Sequence, residues 1–181
     1  MAEMDTCRTL IEHTDGEREN PWQTVNDGVM GGLSSGGSIL RDGALLFAGV
    51  TNTNGGGFSS IRVPMRPGAM AGADYLKVHM KRDSRAYSLT LRTNVRSFGR
   101  RIAVRGPITS APIAEWGDGI LSFDTLNASI WGRPVRNAKF LAEDVVEIGL
   151  IIYDGLDGPF EMQLKRIEAC KRGLPTRGIM P

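Results

Sequence analysis

Two neighbouring runs set the period of this chain. In "YLKVHM", Leu76, Val78 and Met80 fall on one side and Tyr75, Lys77 and His79 on the other; in "RAYSLTLRT", Tyr87, Leu89 and Leu91 alternate with Ser88, Thr90 and Arg92. A period of two places one face against a core and leaves the other to solvent, the signature of a half-buried strand. The intervening "KRDSR" has turn composition, so the two runs read as adjacent strands. "GALLFAGV", "FSSIRV", "RRIAVR" and "GILSFDTL" add shorter strands bounded by Gly, Pro or Asn. Towards the C-terminus "VVEIGLIIYD" and "PFEMQLKRIEA" form a further pair around the turn "DGLDGP", with Val146, Ile148, Leu150 and Ile152 in one apolar set and Phe160, Met162 and Leu164 in the other. Residues 4–13 are the one place where a short helix is expected, with Leu10 and Ile11 on one side. Strands at short intervals with almost no helical period predict an all-β fold, an antiparallel jelly-roll β-sandwich.

A length of 181 residues suits one such core. The expected organisation is an N-terminal arm over 1–20, the sandwich over 21–170 and a loosely held tail over 171–181. The 23 glycines favour a turn-rich β domain, because they come without a repeat period or long polar tracts. They cluster in "NDGVMGGLSSGG" at 26–37 and "NTNGGGFSSIRV" at 52–63. A phosphate loop is excluded for the first cluster, since no Gly-Lys pair occurs in the chain and no βαβ unit surrounds it. Gly32-Leu33-Ser34-Ser35-Gly36 satisfies the serine-nucleophile pattern, but no helical period follows it and neither His13 nor His79 stands where the base would. With no acid–base pair emerging, no catalytic residue is assigned and the chain is not read as an enzyme.

The glycines are therefore read as a backbone device that lets the chain approach itself closely. Asp27, Arg62 and Arg92 are charges set in core-forming segments. The expectation is that Asp27 pairs with Arg62 or Arg92 and ties the two glycine clusters together.

Formal charge is +2, unevenly spread. Residues 62–105 hold eleven Lys or Arg against Asp74 and Asp83. Arg96, Arg100, Arg101 and Arg105 are the candidate partner-binding residues in this block, against the alternative of a solvated sheet face. Nucleic acid is not expected as a partner, since no stacking platform or reader helix accompanies the arginines. Two histidines and two distant cysteines offer no ordinary zinc or iron site; an oxygen-only Ca²⁺ site in Asp154-Gly155-Leu156-Asp157 is weighed against plain turn residues, which are favoured, and neither metal nor cofactor is assigned. Six acids in the first twenty residues argue against a secretory or mitochondrial leader, and no apolar run is long enough to span a membrane. A cytoplasmic location follows as an expectation, with Cys7 and Cys170 as free thiols.

Several segments resemble one known family. "W-x4-D-G-V-M-G-G-L-S" from Trp22 to Ser34, "F-A-G" at 47–49 and "N-G-G-G-F-S-S-I-R" at 54–62 are similar to motifs of the complex I intermediate-associated protein 30 family. "R-A-Y-S-L-T-L-R" at 85–92, "E-W-G-D-G-I-L-S-F-D-T-L" at 115–126 and "I-G-L-I-I-Y-D-G-L-D-G-P-F" at 148–160 extend the resemblance over about residues 20–169. It implies a galactose-binding-domain-like jelly roll. Trp22, Asp27, Met30, Gly31, Gly32 and Ser34 are then structural motif residues in the first cluster, Gly57, Phe58, Ser60 and Arg62 in the second, and Tyr87 and Arg92 in the strand that follows.

The resemblance also implies a non-catalytic, protein-binding role, with subunits or assembly factors of NADH:ubiquinone oxidoreductase among the partners, and the role of an assembly factor or chaperone. The alternative is a carbohydrate-binding-module-like domain that takes sugar on Trp116, Trp131 and Arg133. Trp22 lies inside the motif and is assigned to packing.

Overall fold

The computed structural model describes residues 4–97, 99–130, 133–136 and 139–174. Its strands are β1 (Thr6–Glu12), β2 (Gln23–Asn26), β3 (Ser35–Arg41), β4 (Ala44–Thr51), β5 (Ser59–Pro64), β6 (Tyr75–Arg82), β7 (Tyr87–Ser97), β8 (Arg100–Pro107), β9 (Trp116–Ser122), β10 (Asn127–Ile130), β11 (Arg133–Pro134), β12 (Val145–Ile152) and β13 (Gly158–Lys171). They form two antiparallel sheets. One has the order β3-β4-β13-β6-β9, with β1 also on β13; the other has the order β11-β10-β8-β7-β12-β5-β2. The expected β-sandwich is therefore the observed fold.

Between the sheets lies a core built from the alternating sets. Leu76, Val78 and Met80 of β6 and Met162 and Leu164 of β13 meet Leu89 and Leu91 of β7 and Ile148, Leu150 and Ile152 of β12, all at most 1% exposed. Phe47 of β4 packs on Phe160, with ring centroids 4.9 Å apart. Two bulges change the phase. A register shift between Val145 and Glu147 buries Val145 in place of the expected Val146, and one between Leu164 and Arg166 moves the inward set of β13 to Ile167 and Ala169.

Three sequence expectations need correction. Thr6–Glu12 is a strand, not a helix, and pairs with the second half of β13 while β4 pairs with the first half. A residue's place on β13 outweighs the weak helical pattern of a ten-residue segment. β6 and β7 are not neighbours, and neither are β12 and β13: each pair is split between the two sheets. Stacked sheets lie about 10 Å apart, which the four residues between Arg82 and Tyr87 span as readily as they close a hairpin. Finally, Cys7 and Cys170 are not free thiols. They stand directly opposite one another on β1 and β13 and form a disulfide.

Of the tail, Arg172 and Gly173 are tied down: their N–H groups donate to Asp74 Oδ2 at 2.8 Å and to Asp5 Oδ1 at 3.0 Å. No helix among the described residues is long and apolar enough to cross a membrane.

Candidate functional site

Both glycine clusters turn out to be crossings from one sheet to the other, the first between β2 and β3 and the second between β4 and β5. Asp27 opens the 3₁₀ turn Asp27–Met30 and is fully buried. Its Oδ1 accepts from Ser34 N–H at 2.9 Å; its Oδ2 accepts from Ser34 Oγ at 2.6 Å, Gly57 N–H at 2.6 Å and Phe58 N–H at 3.3 Å. Ser34 Oγ in turn accepts from Asn52 N–H at 2.9 Å. Burial pushes the Asp27 carboxyl pKa up, but these hydrogen bonds overcome it and hold the group below the usual carboxylate range. A Cβ on Gly32 would stand 2.3 Å from Asp27 Cγ, and one on Gly56 would stand 2.4 Å from Oδ2. Glycine is needed there because the carboxylate occupies the space a side chain would take.

Asp27 thus joins the two clusters as expected, but with no arginine. Arg92 donates to Glu147 Oε1 at 2.5 Å, and Arg62 lies mid-strand on the outward face of the seven-stranded sheet. Backbone N–H groups, which every non-proline residue carries, replace the anticipated guanidinium.

The held turn directs apolar side chains outwards. Val29 is 76%, Met30 69% and Leu33 65% exposed, so the motif residue Met30 stands out to solvent on the turn. Phe58, next to the Asp27 contacts, meets Tyr153 edge-on at 6.2 Å. Trp22 is buried, and its Nε1–H donates to His13 Nε2 at 3.2 Å; the His13 proton then sits on Nδ1, 2.8 Å from Glu17 Oε2. Ser60 Oγ donates to the Val25 carbonyl at 2.7 Å, closing β5 onto β2.

A second buried charge fastens two further crossings to each other. Arg85, between β6 and β7, meets Asp154, between β12 and β13, through Nε–Oδ2 and Nη2–Oδ1 contacts of 2.7 Å each. Its remaining donors reach the carbonyls of Leu156, Gly158 and Pro159 and Thr51 Oγ1 at 2.8–3.1 Å. Hydrogen bonding to Arg85, against the opposing effect of burial, lowers the Asp154 pKa. Asp157 accepts from Thr53 N–H at 2.6 Å, so both carboxylates weighed as Ca²⁺ ligands are engaged by the protein. Tyr87 donates to Asp83 Oδ1 at 3.0 Å, and burial pushes its hydroxyl pKa well up. The Arg85–Asp154 pair is not legible in the sequence, where the two residues lie in separate stretches of turn composition, 69 residues apart.

The candidate contact arginines divide. Arg96 and Arg101 face each other across the β7–β8 hairpin, and Ser97 faces Arg100. Arg105 is elsewhere, on the outward sheet face with Arg62 and Arg92. Its Nε–H donates to Thr90 Oγ1 at 3.0 Å. Of the sugar candidates, Trp116 is in β9, stacked on His79 at 5.5 Å, Arg133 is in β11 of the other sheet, and Trp131 lies outside the described residues. A shallow polar pocket of about 250 Å³ lies between residues 14–17 and the β3–β4 turn.

Among solved structures, the fold is similar to that of the family 11 carbohydrate-binding module from Clostridium thermocellum in complex with a β-1,3-1,4-mixed-linked tetrasaccharide. Identity is 12% over 95% of this chain and 98% of that one, with a TM-score of 0.62. The family 11 module of the cellulosomal cellulase Lic26A-Cel5E of the same organism gives 11% identity over 98% and 99%, also at 0.62. Likeness at this identity shows the sandwich alone. No curated protein matches the chain in sequence. Residues 11–164, however, match the family whose motifs surround Asp27 and Arg85, and the chain belongs to the complex I intermediate-associated protein 30 family.

Proposed function

We propose that this protein is a non-catalytic binding module that docks on a protein partner through the β2–β3 turn. The partner belongs to the subunits or assembly factors of NADH:ubiquinone oxidoreductase or of another multiprotein complex, in which the module acts as an assembly factor. One observation carries this reading. Val29, Met30 and Leu33 are held out to solvent by a turn whose backbone is locked by a fully buried carboxylate. Large apolar side chains in a rigid, exposed turn cost solubility in the free protein and give a partner preorganised anchors. Family membership over residues 11–164 supports a protein partner of this class.

The sugar-binding alternative draws on the likeness to carbohydrate-binding modules. It is less favoured because Trp22 is buried and Trp116 and Arg133 stand on different sheets.

The test is gentle crosslinking of the tagged protein in its native cell, followed by mass spectrometry, with Met30→Asp beside it. Enrichment of NADH dehydrogenase subunits or assembly factors that is lost in the variant is the expected result. Enrichment of nothing above an untagged control, or an unchanged set in the variant, would overturn the proposal. Saturable binding of a mixed-linked tetrasaccharide in calorimetry would favour the sugar reading instead.

A further inference from the structure

On the outward face of the seven-stranded sheet, Arg62, Gly149, Thr90 and Arg105 stand opposite one another in a single row across β5, β12, β7 and β8. Arg92 stands in the next row, opposite Glu147. Gly149 has no side chain, so the row dips between the two arginines. The Arg62 stem borders the dip, its Cγ 3.7 Å from where a Gly149 Cβ would be. Arg105 reaches over Thr90 from the far side. Glu147 is taken by Arg92. Among the described residues, Arg62 Nε is buried with no hydrogen-bond partner, and no carboxylate forms an ion pair with Arg105.

From this we infer that Arg62, Arg92 and Arg105 form a binding site over Gly149 for a small ligand carrying a multiply charged oxyanion, either a phosphate group or clustered carboxylates.

Three arginines on two adjacent rows of one sheet face, with Glu147 the carboxylate among them, repel one another. The lowered pKa values of Arg62 and Arg105 agree: burial is the main cause in both, and the charge of Arg92 comes next. A cluster kept for stability would be neutralised by the chain's own acids, as Arg85 is by Asp154. One left short of negative charge has its compensation supplied from outside. Planar guanidinium forks suit either oxyanion geometry. The site is distinct from the β2–β3 turn and does not depend on the protein-partner reading.

Pyrophosphate and citrate are titrated separately into the intact protein at constant ionic strength set with NaCl. The side-chain Nε–H resonances of the arginines and the thermal midpoint are followed. Saturable shifts of the Arg62 and Arg105 signals and a rising midpoint are expected with at least one probe. Response to pyrophosphate alone identifies a phosphate-bearing ligand, to citrate alone a carboxylate-bearing one, and to both a general oxyanion site. Arg62→Gln and Arg105→Gln should each weaken binding at least tenfold while leaving the ligand-free midpoint equal or higher, because repulsion is relieved. A structural staple would show the reverse. The inference is overturned if neither probe saturates, or if binding is undiminished in both variants.

Discussion

Asp27 carries its charge where water does not reach, and four hydrogen bonds keep it there. Asp27→Asn places an amide NH₂ against backbone N–H donors and is expected to cost roughly 3 kcal/mol in urea unfolding. Gly32→Ala, which drives a methyl into the carboxylate, should cost about 1–3 kcal/mol. Met30→Ser, at 69% exposure, should stay within about 0.5 kcal/mol of the parent, separating docking from folding. The pH dependence has a definite sign. The Asp27 pKa is lower folded than unfolded, so its contribution is intact above about pH 4, the unfolded aspartate value, and is lost as pH falls through the folded value. Stability measured between pH 6 and pH 2 should fall at the acid end in the parent, and less steeply in Asp27→Asn. The role of glycine here was legible in the sequence, because such runs mean close backbone approach. The partner of Asp27 was not, because the donors are peptide N–H groups that no residue letter distinguishes.

Strands were the most legible elements, since inside–outside alternation is written in the side chains themselves: Leu76/Val78/Met80 and Leu89/Leu91 are buried as their period predicts. Which strands pair was not legible. "KRDSR" and "DGLDGP" have the composition of hairpin turns, yet both cross between sheets, fastened to each other by Arg85 and Asp154. Replacing Arg85 tests that fastening. Arg85→Ala leaves Asp154 buried and uncompensated and should cost about 3–5 kcal/mol. Arg85→Lys should recover only part of this, because an ammonium cannot serve both carboxylate oxygens and the surrounding carbonyls at once. A double-mutant cycle with Asp154→Asn, read by denaturant midpoints, should show strong coupling.

At the scale of the whole molecule, the Cys7–Cys170 disulfide joins the two ends of the chain across 163 residues. A loop that long restricts the unfolded state strongly, and chain-entropy reasoning puts the stabilisation at up to roughly 5 kcal/mol. Thiol titration of the unreduced, denatured protein should find no free cysteine, and reduction should lower the thermal midpoint clearly. The pairing was illegible because two cysteines far apart in sequence carry no sign that a first strand lies against the last. By itself, the sequence determined the all-β class, the inward side chains wherever no bulge shifts the phase, the sheet-like period and the family, because these follow from local alternation and contiguous motifs. The tertiary structure alone decided which sheet each strand joins, that Asp27 is held by backbone donors, that Arg85 finds Asp154, and that Arg62, Arg92 and Arg105 share adjacent rows of one sheet face. Each of these is a contact between segments distant in the chain. Short connections permit more than one such arrangement, and burial of the whole core selects among them.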